Sequence, residues 1–241
     1  MATIVLNKGI ISYNEIPTVL TDDKPIVFWD TCSLLYFNTI VSRRAYREFD
    51  WDKKLLDWVL NGDVYSVTSM LVSQEFNKHH DDFKNKDLGL EAGLIHTMQQ
   101  YGNIVGGQDK AIIDKAIQSF KLSSMMDRMV CDLWKQTYVI NDDTSFLQKA
   151  HNRVLSSTPP SGKEQEYKDC YIWETFLTLC DYAPHKNQAY FMTENTDDYC
   201  GKKCKTPFPE IQNEMTTHKG QIIVSKDQLW VAIARKLGII K

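Results

Sequence analysis

The stretch IVFWDTCSLL, residues 26–35, decides how this chain folds. Ile26 to Trp29 form a short unbroken apolar run, the pattern of a strand buried on both faces. The run stops abruptly on Asp30, and a second apolar stretch follows within a few residues. A carboxylate where a buried strand gives out has two readings. A short polar side chain caps the next helix well. Parallel sheets also place their ligands outside the carboxyl ends of their strands, and Asp30 occupies that position.

Working outward, three more segments have the same character: DVYSVTS (63–69), QAYFMT (188–193) and GQIIVS (220–225). Each is rich in β-branched or aromatic residues and ends in polar or capping types. Helical patterns follow them. After the last strand, Ser225 and Gln228 match a capping box, Leu229, Trp230, Ile233 and Leu237 recur at helical spacing, and Gly238 stands where a helix would end. Between Ser42 and Leu60, the residues Tyr46, Phe49, Leu56 and Leu60 mark another amphipathic helix, stopped by Asn61-Gly62-Asp63. Alternating strands and helices predict an α/β fold with a mostly parallel sheet. One domain is expected over 1–241, with its core in 24–80 and 158–241. The segment from about 81 to 157 has several helical patterns and no convincing strand, so it is expected to be a helical insertion. It closes on SSTPPSGKEQEYKD (156–169), a loop because neither proline suits a helix interior.

Composition narrows the classes. Of 241 residues, 43% are hydrophobic and 24% charged, ordinary values for a globular chain. No apolar run is long enough to cross a bilayer, so a soluble chain with no membrane partner is expected. The first residues lack the pattern of a secretory signal, so a cytoplasmic location is expected. Six scattered cysteines suit a reducing compartment, and Cys200 and Cys204 lack a second pair to complete a zinc site. With a net charge of −3, any polyanion would have to meet a local basic patch.

Acids then recur where apolar patterns start or stop. On a helix after VTS, Glu75 falls inside the stripe formed by Leu71, Val72, Phe76 and His79. Either it lies at the helix edge and reaches water, or a cation meets it, because burying an unpaired carboxylate costs several kcal/mol. Asp169 lies one turn before Ile172, Trp173, Phe176, Leu177 and Cys180 on one helix face, as a cap or a ligand, whereas Glu174 projects away from that stripe. Glu194, Asn195, Asp197 and Asp198 crowd the turn after the third strand. Carboxylates converging on one point raise each other's pKa, and a divalent cation removes the conflict. Oxygen donors without a Cys or His set favour Mg2+ or Mn2+, whose usual chemistry in such sites is phosphodiester hydrolysis.

The order strand-Asp30, helix-Glu75, helix-Asp169, then Thr193-x-Asn195-x-x-Asp198-Tyr199 resembles the PIN-domain nucleases over roughly 26–199. Pro159, Pro160 and Lys163 leading into Asp169, Cys170, Ile172, Trp173 and Glu174 resemble the larger bacterial PIN-like proteins. The resemblance implies a Rossmann-like three-layer fold and an endonuclease that uses Mg2+ or Mn2+ on single-stranded RNA. It makes Asp30, Glu75, Asp169 and Asp198 the catalytic and metal-binding set. Asp197 is an alternative ligand, and Asn195 coordinates or hydrogen-bonds. Arg153 and Lys163 flank the loop before Asp169 and are expected to meet substrate phosphates, against the alternative of ordinary surface charge. Lys202, Lys203 and Lys205 form a second basic cluster. Tyr36, Phe37 and Trp173 are base-stacking candidates that also suit a core. Expected partners are single-stranded RNA, an antitoxin or regulatory protein, and a second copy of the chain. The biological settings are a toxin, a defence effector or a processing enzyme. Two other readings stand: an inactive RNA- or protein-binding module on the same fold, and a phosphotransferase with Asp30 as nucleophile. The latter lacks a second Asp two residues on, where Cys32 stands.

Overall fold

The computed structural model describes residues 8–44, 49–161, 167–184, 189–201 and 206–240. Among these residues, six strands form one sheet in the order β1-β4-β3-β2-β5-β6: β1 Ile10–Ile11, β2 Ile26–Trp29, β3 Tyr65–Ser69, β4 Thr137–Ile140, β5 Ala189–Met192 and β6 Gln221–Ile223. Every pairing is parallel, with Val27 beside Ser66 on one side and Tyr190 on the other. The chain leaves β2 toward β3 and later returns to its other side as β5. The carboxyl ends of β2 and β5 therefore flank the point where strand order reverses, which is where open α/β sheets form a crevice.

The helices are α1 Ile16–Val19, α2 Thr31–Leu35, α3 Phe49–Leu60, α4 Met70–Val105, α5 Gly107–Ser119, α6 Leu122–Lys135, α7 Thr144–Ser156, α8 Tyr167–Tyr182, α9 Thr196–Tyr199, α10 Pro209–His218 and α11 Lys226–Lys236. All four residues of β2 are buried, so both faces of the sheet are covered. On one face Phe28 and Phe191 pack against Phe176 of α8. On the other, Trp29 meets Phe37 edge-on and its indole donates to Ser66 Oγ. Helices α3 and α11 join through Trp51, Trp58 and Trp230, and through a buried ion pair between Asp52 and Lys226. Gly238 takes a positive φ of 71° just past α11, which ends that helix as its sequence predicts.

Three expectations change. The segment 81–157 does contain a strand: β4 runs parallel to β3 and carries Thr137, whose hydroxyl lies 2.7 Å from Ser66 Oγ. Residue 81 is no boundary, because α4 runs unbroken from the end of β3 through about the first third of that segment. Buried acids on α4 stitch it to the core. Asp87 accepts the backbone N–H groups of Val41 and Ser42 and the hydroxyl of Ser123, and Glu91 accepts the Ser123 N–H. Finally, α8 is buried all round from Asp169 to Cys180, so it has no solvated face for Glu174.

Gly220, just before β6, shows how tightly α8 is packed. A Cβ there would stand 2.8 Å from Cys180 Sγ and 3.1 Å from Phe176 Cζ, both on the buried helix. Overpacking of that kind costs about 1–3 kcal/mol. Gly220→Ala is expected to lower stability by that amount in urea unfolding, and an unchanged midpoint would contradict the packing described.

Candidate metal-dependent nuclease site

The local sequence sets Asp30 at the end of β2 as the N-cap of α2. Its Oδ1 accepts the Thr31 N–H at 2.6 Å, so the capping role is real. Its Oδ2 turns across the crevice, accepting the Thr193 hydroxyl at 2.7 Å and the Cys32 thiol at 3.1 Å. Thr193 follows β5, and the Asp30 N–H donates to Met192 at the end of that strand. Asp30 is only 3% exposed. Burial pushes its carboxyl above the usual carboxylate range, its three hydrogen bonds pull the other way, and the charge of Glu75 adds to the rise. The Cys32 thiol beside it is raised well above its ordinary value, first by burial and then by Asp30.

Glu75 comes from the second turn of α4, whose start is fixed by Ser69 accepting the Val72 N–H. Val72 and Phe76 are fully buried, whereas Glu75 lies half-buried at the stripe's edge. One oxygen accepts the Thr31 hydroxyl at 2.8 Å, and the other meets Lys168 Nζ at 2.6 Å. Asp169, buried in the first turn of α8, is held through its backbone carbonyl, which accepts the Tyr199 hydroxyl at 3.3 Å.

Asp30, Glu75, Asp169 and Asn195 share one pocket of about 370 Å³ at the strand-order reversal, with Lys168 on its acidic side and Leu35, Tyr36 and Phe83 supplying apolar walls. Asp197 and Asp198 do not line this pocket. Asp197 is exposed on α9, and Asp198 reaches the pocket indirectly, accepting the Asn195 side-chain amide. Glu194 turns to Arg43, at 3.0 Å. The turn's acidity therefore serves several local tasks.

Arg153 does not meet the expectation placed on it. It is 7% exposed, and its guanidinium is taken up by Glu174, Glu214 and the Pro159 carbonyl. Buried among those acceptors, it does not line the pocket, and it ties α7, α8 and α10 together. Trp173 belongs to the same network, donating to Glu214 at 2.8 Å, and Phe37 is likewise core. Lys163, Lys202, Lys203, Lys205, Cys204 and Tyr46 lie outside the described residues. Sequence reasoning passed over Lys168 and Thr31, and it placed Thr193 in the motif without giving its hydroxyl a role. One signal was available for Lys168: a cation in a helix's first turn opposes the helix dipole and calls for a carboxylate nearby.

The donor set suits a hard divalent cation, being three carboxylates and an amide oxygen in one polar cleft. Among the described residues, no three His, Cys, Asp or Glu side chains stand close enough to cage a metal, and Glu75 is engaged by Lys168 instead. No helix is long and apolar enough to cross a membrane among those residues. No curated protein and no solved structure matches the chain. A family model described as PIN domain matches residues 27–199, from β2 through α9. PIN domains are generally nucleases and typically use divalent metals. The match spans both sides of the crevice and every pocket acid, and on that ground the chain belongs to the PIN-domain family.

Proposed function

We propose that this PIN-domain chain is a cytoplasmic, Mg2+- or Mn2+-dependent endonuclease that hydrolyses phosphodiester bonds in single-stranded RNA. The observation that carries the reading is the gathering of Asp30, Glu75 and Asp169, from three separate elements, in one pocket at the strand-order reversal. Those three carboxylates, which do not yet stand close enough to cage an ion, would hold it once Glu75 turns from Lys168, with Asn195 at the rim. Once bound, such an ion polarises a phosphate oxygen and lowers the pKa of an attacking water. The chain's own residues do the rest. Thr31 and Thr193 fix the Asp30 carboxylate, and the Thr31 hydroxyl also fixes Glu75, which orients the water. Leu35, Tyr36 and Phe83 give an unpaired base an apolar wall, a contact that a base stacked inside a duplex does not offer.

A labelled single-stranded RNA tests this. Cleavage in Mn2+ that a chelator abolishes and that Asp169→Asn removes is the expected result. No cleavage, or cleavage indifferent to that substitution, overturns it. The pairing of Lys168 with Glu75 and the spacing of the pocket acids favour a binding-only module, and RNA binding without manganese uptake would be its mark.

A further inference from the structure

Lys168 sits in the first turn of α8, next to Asp169. The positive end of a helix disfavours a cation there, so its placement needs a compensating anion. That anion is Glu75, whose Oε1 is 2.6 Å from Lys168 Nζ, while the Thr31 hydroxyl satisfies Oε2. The lysine side chain is 62% exposed and the glutamate 19%, so the lysine is the partner whose charge water can solvate once the pair opens. Asp30 differs: the donors on its oxygens, Thr31 N–H, Thr193 Oγ1 and Cys32 Sγ, are all neutral. A positive charge thus stands on one side of the acidic wall, at one of its carboxylates.

We propose that Lys168 is a positioning residue that balances the charge of Glu75 in the metal-free protein and gives that carboxylate up to an incoming divalent ion. The proposal rests on the reading of this pocket as a metal site. Its physical content is competition. An ammonium and a dication drawn to one carboxylate repel each other, and the ion pair must open before Glu75 can turn to the metal. The lysine therefore weakens metal binding while keeping Glu75 fixed in its absence. Once displaced, it remains tethered one residue from Asp169, at the edge of the cleft.

Calorimetric titration of Mn2+ into the full chain tests this without reference to turnover. Lys168→Met is expected to bind Mn2+ about two- to fivefold more tightly than the parent, the range set by removing a largely exposed ion pair. Lys168→Arg, which keeps the charge, is expected to stay close to the parent. The rise in melting temperature on adding Mn2+ should be larger for the Met variant than for the other two. Equal or weaker binding by Lys168→Met overturns the competitive role and leaves the metal site standing. Manganese uptake by neither the parent nor the Met variant overturns both.

Discussion

Asp30→Asn is expected to abolish metal-dependent RNA cleavage while making the metal-free protein more stable. The first effect follows from the removal of a charged oxygen donor at the centre of the pocket. Losing even a residue that only orients a metal ligand costs about 10- to 100-fold, so a fall of at least about a hundredfold is expected here. The second follows from the raised pKa of the carboxyl, caused first by burial and increased by Glu75. An acid whose folded pKa lies above its ordinary 3.8 favours folding when neutral. That contribution is complete below pH 3.8 and is lost as the pH rises through the raised value, so once ionised the group opposes folding. An amide removes this cost and can keep the contacts, because it still accepts the Thr31 N–H and the Thr193 hydroxyl can turn to accept from it. Thermal melts without metal should therefore show a higher midpoint at pH 7, and a weaker dependence on pH above 4, for the Asn variant. A lower midpoint at pH 7 would mean that the Asp30 charge is not a burden in the empty pocket. Undiminished cleavage would remove Asp30 from the chemistry.

Arg153→Met is expected to act in the opposite way, lowering stability heavily and touching RNA only through the fold. The guanidinium bridges Glu174 and Glu214, and its burial works against its charge until those two carboxylates more than restore it. Taking the cation away leaves Glu174 buried and uncompensated, a change that costs about 3–5 kcal/mol. For a chain of this size that corresponds to a melting temperature lower by roughly 6–20 °C. Were Arg153 a phosphate contact, the same substitution would leave the melt intact and weaken RNA binding, so one thermal scan and one binding titration decide between the roles. Replacing Glu174 by Gln together with Arg153 should recover part of the loss, since it removes the orphaned charge.

The two residues also show how far the sequence could be read. Asp30 was legible because burial and charge conflict within a few residues: four apolar positions and then a carboxylate leave few options. Its capping role and its place in the pocket proved compatible, each engaging a different oxygen. Four of the six strands announced themselves in the same way. Strand β4 did not, because α6 ends at Lys135 and the strand starts at Thr137, with no Gly or Pro between to break the helical pattern. Strand β1 has only two residues and is defined by its pairing with β4. Arg153 misled for a different reason. Its partners Glu174 and Glu214 lie 21 and 61 residues away, and nothing local in a sequence shows that a basic residue near a loop points inward. Glu174 failed for the same reason, since a helix buried on every side has no polar face from which to infer direction.

Helix α4 has a mechanical consequence. At about 1.5 Å per residue, its 36 residues make a rod of about 54 Å that carries Glu75 near one end and the exposed Ile104 near the other. Asp87 and Glu91 pin it near the midpoint between those two, with about 20 Å of helix on either side. The first turns are also buried against the core through Val72 and Phe76, so Glu75 stands on the anchored arm of the rod while Ile104, 81% exposed, rides at the far end of the other.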